Sequence, residues 1–369
     1  MQNYLKEVNS SMEYKQPVVV RELYAEILRL IAAFIVVFQH TVTSAWYFVP
    51  VDTLDFFTLN FLNSLSRFGV AIFIMISGAF MLSPKYPHTP RKILTHNLPK
   101  IIILLVSWGI IYELLDVTLQ SGNWQNYLAS PLTLFTDPPT HLWFLYTIAG
   151  LYIITPALRV FTLHASERMV LYVIILFFMF GLMLPTVNHL LLKLAGITIY
   201  KNIGIRGFTG FAGFYLTGFY LTHYEVKRIA RHALYGLALI SWFISFFYST
   251  YFSLAKDVPN EYFFGNFRPM TFIIAAAIFC YFRAKFRDRK ISNGENANKR
   301  EKLLINVSKC MLGVYLIHPM FIKTFYGFHL SLLEPHPIIT VPIMAVIFFT
   351  LSFAIIYLFR LIPVIRKIL

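Results

Sequence analysis

Long apolar stretches dominate this sequence and limit what it can fold into. A transmembrane helix needs about 20 consecutive, mainly apolar residues, and ten segments of about 18–28 residues meet that requirement. Because these runs are continuous rather than alternating, they exclude a transmembrane β-barrel. The sequence therefore predicts an all-α polytopic integral membrane protein, a bundle of about ten transmembrane helices. The predicted spans cover approximately residues 23–49, 60–82, 98–120, 141–163, 169–187, 204–222, 231–252, 268–284, 307–328 and 337–362.

Composition and charge agree with a membrane protein. Hydrophobic residues make up 57% of the chain and charged residues only 13%, whereas soluble domains carry about 25% charged residues. The formal net charge is +15, and the basic residues concentrate after the second, sixth and eighth spans and at the C-terminal end. Since basic loops stay on the cytoplasmic side, we predict that both termini are cytoplasmic. The same rule explains the charge without a nucleic-acid partner, and we expect membrane lipids to contact the spans.

The organisation of the chain is that of one domain. We expect a single transmembrane domain over residues 1–369, with no soluble domain attached. The N-terminal 22 residues precede the first span, lack a cleavable signal pattern and are predicted to be cytoplasmic. The polar stretch 283–306 is predicted to be a cytoplasmic linker, flexible between Arg283 and Lys302.

A basic residue and a histidine lie eleven positions apart within the first span. Eleven residues at about 100° each come within about 20° of three full turns, so Arg29 and His40 share a helix face about 16 Å apart along the axis. Glu26 lies one turn before Arg29 and can pair with it. Ionisable side chains inside a membrane are costly and mark functional sites, and a neutral imidazole can act as a base. The alternative is a capping ion pair and a packing histidine.

Other polar side chains in the spans allow two interpretations each. Ser77 beside Gly78 suits close helix packing or a site, and Arg67 can extend to the interface or face a polar cavity. Glu113 and Asp116, one turn apart, can form an ion network or bind an acceptor sugar.

The same ambiguity holds for two histidine motifs. His141 and Trp143 open the fourth span, where such residues anchor the interface or bind a substrate. His318 precedes Pro319 at a depth similar to that of His40, which suggests a buried polar cavity or a kinked helix. The two cysteines show no disulfide or metal spacing, and no P-loop, zinc-protease or serine-hydrolase motif occurs. We therefore expect no metal.

Five short motifs carry most of these polar residues. The first span has Glu-Ile-Leu-Arg and then His (26–40), and the second has Phe-Ile-Met-Ile-Ser-Gly (73–78). A basic stretch (91–100) precedes the third span, and the later motifs are His-Leu-Trp-Phe-Leu (141–145) and Gly-Val-Tyr-Leu-Ile-His-Pro (313–319). In order and spacing they resemble the acyltransferase family 3 membrane proteins, which have Asp where the first motif here has Glu. The chain is most similar to the WecH-like branch, the O-acetyltransferases of enterobacterial surface polysaccharides, such as enterobacterial common antigen and O-antigen.

The resemblance implies a membrane O-acetyltransferase in the bacterial inner membrane. The acyl donor would be acetyl-CoA from the cytoplasm, and the acceptor a sugar hydroxyl of a cell-surface polysaccharide or its lipid-linked glycan precursor. It also implies residue roles. Catalysis would fall to His40, as base or acyl relay, with Arg29 and Glu26; donor binding to Arg29, Ser77, Arg91, Lys92 and Lys100; and acceptor binding to Arg67, Glu113, His141, Trp143 and His318.

A different class of function stays open on the residues alone. Polar side chains at mid-depth also line transport pathways, so a membrane transporter or exporter of a glycan or small solute is the alternative. A transporter would neither consume acetyl-CoA nor need His40 as a proton acceptor, and this difference separates the two hypotheses.

Overall fold

Helices account for nearly all of the regular structure. The computed structural model describes residues 21–86, 88–119, 140–199, 210–287, 289–291, 298–327 and 331–368. In chain order the α-helices are α1 (Leu23–Trp46), α2 (Leu54–Ser64), α3 (Gly69–Met81), α4 (Pro90–Lys92), α5 (Leu98–Leu119), α6 (Trp143–His164), α7 (Glu167–Phe178), α8 (Leu184–Ala195), α9 (Ala212–His223), α10 (Arg228–Lys256), α11 (Pro269–Lys285), α12 (Lys299–Ser308), α13 (Met311–Gly327), α14 (Pro337–Phe359) and α15 (Pro363–Ile368).

Short elements join some of these helices. Single π-helical turns, Ile93–Asn97 and Met179–Met183, connect α4 to α5 and α7 to α8. The 3₁₀ turns Thr140–Leu142 and Tyr262–Phe264 come before α6 and α11.

The predicted all-α polytopic bundle is confirmed. In the described part of the chain, eight helical stretches are long and apolar enough to cross a membrane. The bent pair α12 and α13, which meet at 54°, makes a ninth if counted as one span. The predicted sixth span, 204–222, begins outside the described residues, and its described helix, α9, has only 12 residues. This helix falls short of the about 20 residues that a span needs.

Helix α1 lies in the middle of the bundle, where α3, α13 and α14 all pack against it. Its buried face is built from small and branched side chains, including Ala32, Ala33, Val36 and Val37, each without exposed surface. Small residues let neighbouring helices approach closely. The helix that carries the predicted catalytic residues is therefore held on several sides.

Helices α3 and α9 cross in backbone contact. A Cβ added at Gly78 would lie 1.9 Å from the carbonyl oxygen of Tyr215, and one at Gly218 would lie 1.8 Å from that of Met75. No side chain fits in such a space, so both positions require glycine. The close-packing interpretation of the Ser77–Gly78 pair is therefore confirmed for its glycine.

Part of the predicted linker is regular structure. Strand β2 (Lys290–Ile291) pairs antiparallel with β1 (Arg21–Glu22), directly before α1. Helix α12 follows and starts with a capping box, in which Asn298 and Glu301 each bond the other's backbone. The prediction of flexibility is wrong for these parts, because the strand pair and the cap satisfy their backbone groups. Residues 288 and 292–297 lie outside the described residues.

Substituting the two crossing glycines tests this packing. Gly78→Ala and Gly218→Ala should each abolish recovery of folded monomer, since an added methyl group would overlap backbone atoms. The measurement is the monomer peak in fluorescence-detected size exclusion after detergent extraction. Gly150→Ala and Gly236→Ala are matched controls, because an added Cβ there meets nothing within 4 Å. Equal recovery of all four variants would contradict the close approach.

Candidate active site

The predicted pair of Glu26 and Arg29 forms at the start of α1. Arg29 Nη1 donates to Glu26 Oε1 at 2.6 Å, and Arg21 Nη1 donates to the same oxygen at 3.1 Å. The hydroxyl of Ser308, at the end of α12, donates to the other carboxylate oxygen. Glu26 is only 2% exposed, so its charge depends on these partners. This carboxylate joins α1 to β1 and α12, and its role in the structure is to orient Arg29.

A cavity of about 430 Å³ opens beside this cluster, and we call it the basic cavity. Within the described part of the chain its wall contains seven cationic side chains and two carboxylates. Such an excess of one charge attracts anions. The cations are Arg21, Arg29, Lys100, Lys309, Arg360, Arg366 and Lys367.

A second cavity of about 400 Å³, the apolar cavity, adjoins the first. The two walls share Arg29, Phe80, Ser308 and Lys309, and the two cavities meet at these side chains. The rest of the apolar wall comes mainly from α3, α6 and the start of α13, and it includes Ser77. A ligand with an anionic end and a long, less polar arm would match this pair of cavities.

The loop between α3 and α4 forms one side of both cavities, and Arg159 of α6 holds it. The Arg159 guanidinium donates to the carbonyl oxygens of Met81 at 2.6 Å, Ser83 at 3.0 Å and Tyr86 at 3.2 Å. Sequence reasoning missed this residue, although a lone arginine near the end of an apolar span was a visible signal.

A histidine of the same loop lines the apolar cavity without adding charge. Burial lowers the pKa of His88, and the nearby cations Arg159 and Lys92 lower it further. Its imidazole is therefore neutral at pH 7. The positive charge in the wall of the apolar cavity therefore comes from Arg29 and Lys309.

The predicted donor-binding residues separate into two groups. Arg29, Ser77 and Lys100 line one or both cavities. Arg91 and Lys92 form part of the short helix α4, are exposed, and do not belong to either wall. Sequence reasoning did not assign Arg360, which follows α14, or Arg366 and Lys367 of α15 to this site, because only the fold brings the C-terminal part of the chain to the start of α1.

Three histidines meet deeper in the bundle. The rings of His40 and His318 have centroids 5.0 Å apart, and those of His141 and His318 are 6.4 Å apart. His318 has no exposed surface, His141 is 5% exposed, and the Nε2 atoms of both lack a hydrogen-bond partner among the described residues. The expectation that His40 and His318 share a similar depth is confirmed. Buried polar atoms without partners are uncommon and mark places where a ligand or water binds.

Two tyrosines position this cluster. The Tyr315 hydroxyl of α13 donates to the backbone carbonyl of His141. The Tyr112 hydroxyl of α5 donates to the carbonyl of Leu316 at 2.8 Å, and its ring lies 4.3 Å from that of His141. These contacts fix His141, in the 3₁₀ turn before α6, against α13.

Arg67 lies near His40, in the connection between α2 and α3. Its guanidinium carbon is 4.9 Å from the ring centroid of Phe264. With its amide oxygen turned toward this arginine, Gln39 accepts from Arg67 Nη1 and donates to the Ser66 carbonyl, both at 3.3 Å. Arg67 Nε and Nη2 are buried and have no hydrogen-bond partner among the described residues.

The remaining predicted acceptor residues have other surroundings. Trp143 stacks on Phe211, with ring centroids 5.5 Å apart, and packs against the core. Glu113 is half-buried on α5, next to Tyr112. The side chain of Asp116 lies outside the described residues.

Removing one buried carboxylate should cost far more than removing an exposed one. Glu26→Ala leaves two guanidinium groups and one hydroxyl without their acceptor, and we expect a loss of about 3–5 kcal/mol in stability. Glu225→Ala is the control: the Arg287 hydrogen bond at 2.5 Å lowers the pKa of Glu225, yet the pair is exposed to solvent. The measurement is the apparent melting temperature in detergent. Similar losses in both variants would contradict a structural role for Glu26.

A family model described as an acyltransferase domain matches residues 22–361. No curated protein and no solved structure matches. The matched range contains α1 to α14, and with them the histidine cluster and all of the apolar cavity.

Proposed function

The chain belongs to acyltransferase family 3, and from this premise we propose that it transfers an acetyl group from acetyl-CoA to a sugar hydroxyl. A membrane acyltransferase is the activity that the family establishes. The acetyl group, the donor and the acceptor, a cell-surface polysaccharide or its lipid-linked glycan precursor, are our proposal. We further propose the bacterial inner membrane as the location, with the basic cavity on the cytoplasmic side.

The observation that carries this proposal is the junction of the two cavities at Arg29. Coenzyme A has phosphate groups at one end and a long pantetheine arm that ends in the thioester. The basic cavity supplies cations for the phosphates, which bind through charge-assisted hydrogen bonds. The apolar cavity continues from there along α3 and α6 and suits the arm. The seven cations of the basic cavity, next to a mainly apolar one, are harder to reconcile with a neutral transport solute.

His40 is the residue to which the thioester would be delivered. It lies about 16 Å beyond Arg29 along α1, at the level of His318, whose ring is 5.0 Å from that of His40 and 6.4 Å from that of His141. His40 is half-buried, and a neutral imidazole in such a place is suited to act as a general base. Arg67, Glu113, His141 and Trp143 remain the proposed contacts of the acceptor.

The proposed chemistry balances without a metal or redox partner. A His40 nitrogen takes the proton of the sugar hydroxyl as the hydroxyl oxygen attacks the thioester carbon. The new C–O bond forms, the C–S bond breaks, and the coenzyme A sulfur receives the proton from His40. A covalent relay is the variant in which the His40 nitrogen itself attacks first and then passes the acetyl group to the hydroxyl.

Transfer of label from acetyl-CoA tests the function directly. Purified wild-type protein should release coenzyme A thiol and move labelled acetyl to a membrane-glycan extract. His40→Ala should lower kcat by about 10²- to 10⁴-fold, the contribution of a general base, without loss of folded protein. His232→Ala, a change in an exposed histidine of α10, is the matched control. Folded wild type that consumes no acetyl-CoA would favour transport, and full activity of His40→Ala would contradict the base assignment.

Charge removal at the basic cavity tests donor binding separately. Arg29→Ala, Lys100→Ala and Arg366→Ala should each raise the KM for acetyl-CoA about tenfold, the loss of one charge-assisted contact of about 1.4 kcal/mol. The change in kcat should be smaller. Arg300→Ala, on the exposed side of α12, should leave KM unchanged. Arg91→Ala and Lys92→Ala test whether these two residues bind the donor. A raised KM for acetyl-CoA would show that they do, and an unchanged KM would show that they do not.

A further inference from the structure

The His-Pro pair of α13 creates a hydrogen bond that an ordinary helix lacks. Proline has no backbone N–H, so Pro319 leaves the carbonyl four residues earlier, that of Tyr315, without its helical donor. In the structure, the side chain of His318 takes the place of this missing donor. His318 Nδ1 lies 2.7 Å from the Tyr315 carbonyl oxygen and 3.3 Å from that of Val314.

These contacts decide which nitrogen of His318 carries hydrogen. Both partners of Nδ1 are carbonyl oxygens, which only accept, so Nδ1 must be the donor. In the neutral imidazole Nε2 then holds a lone pair and no hydrogen. That Nε2 atom is buried and has no hydrogen-bond partner in the described part of the chain. The motif thus places an acceptor of fixed orientation inside the bundle.

The ring next to this acceptor is His40. Its centroid is 5.0 Å from that of His318, with the ring planes at 57°, whereas His141 is farther away at 6.4 Å. A general base must present one bare nitrogen to its substrate, and the hydrogen on its other nitrogen needs an acceptor to fix the tautomer. The lone pair of His318 can supply that acceptor.

We propose that His318 is a positioning residue, whose Nε2 accepts the N–H of His40 and leaves the other His40 nitrogen free to act as the base. Pro319 contributes to this arrangement, because it leaves the Tyr315 carbonyl free to accept the hydrogen bond from His318. The inference rests on the proposed function for its catalytic consequence, but the tautomer and the coupling of the two rings are properties of the protein alone. The competing explanation is that the pair only bends and packs α13.

Nitrogen NMR of the full chain labelled with ¹⁵N-histidine tests the tautomer without any substrate. The His318 signals, assigned by their loss in His318→Gln, should show a protonated Nδ1 and a bare Nε2. In His318→Leu, the His40 signals should change more than in His318→Gln, because glutamine keeps an acceptor oxygen. Two results would overturn the proposal whether or not the protein uses acetyl-CoA. One is a protonated Nε2 at His318, and the other is that the His40 signals change in neither variant.

Kinetics with acetyl-CoA and a membrane-glycan extract test the catalytic consequence. His318→Leu should lower kcat about 10- to 100-fold, as loss of an orienting partner does, with an unchanged KM for acetyl-CoA. His318→Gln should recover a clear part of that loss.

Pro319→Ala should also lower kcat, because the new N–H at residue 319 competes with His318 for the Tyr315 carbonyl. Pro342→Ala, a change at the proline inside α14, is the matched control and should be active. Equal losses in the two His318 variants, or in the two proline variants, would mean a packing role and overturn the proposal. Inactive wild type would reject the proposed function, and the NMR result would then decide the tautomer and ring coupling by itself.

Discussion

A charge buried in an apolar bundle must find a partner, and this requirement organises the start of α1. Glu26 is almost fully buried and is tolerated because Arg21, Arg29 and Ser308 converge on it. Each partner belongs to a different element, so satisfying one carboxylate also fixes the strand before α1 and the end of α12. The result is that Arg29 is held at the junction of the two cavities. The structural position of this arginine therefore depends on the neutralisation of Glu26.

The deeper part of the bundle satisfies the same requirement incompletely. His141, His318 and Arg67 all keep buried nitrogen atoms without partners among the described residues. An apolar interior makes such groups costly, unless a substrate or water completes their hydrogen bonds. They lie near His40, whereas both carboxylate oxygens of Glu26, about 16 Å or more away along α1, accept hydrogen bonds. This contrast separates a structural cluster from one that is available for chemistry.

The sequence could predict the interactions between residues that lie close together in the chain, but not those between distant ones. Glu26 and Arg29 lie one helical turn apart, so their spacing in the sequence predicted the pair. The positions of His40 and His318 within their apolar spans likewise predicted a similar depth. The helical bundle followed from the apolar runs. Other features join residues far apart in the chain, and no spacing encodes them. They are the hydrogen bonds of Arg159 to the loop after α3, the tyrosine bond to the His141 backbone, and the presence of Arg366 and Arg29 in the wall of one cavity. The error over the linker has the same origin, because β2 is ordered by pairing with Arg21 and Glu22.

The separation of the two sites has a consequence for the proposed reaction. In that reaction the basic cavity would recognise the donor by charge, far from the reacting atoms, and the thioester would meet His40 next to the buried rings of His141 and His318. A site that excludes water would protect the acetyl group from hydrolysis until an acceptor hydroxyl arrives. The phosphates and the histidines would then lie at different ends of α1, so that donor affinity and the rate of transfer would depend on different side chains. Both Arg29 and His40 belong to one helix, α1, whose fixed rise per residue sets the distance between the basic cavity and the histidine cluster.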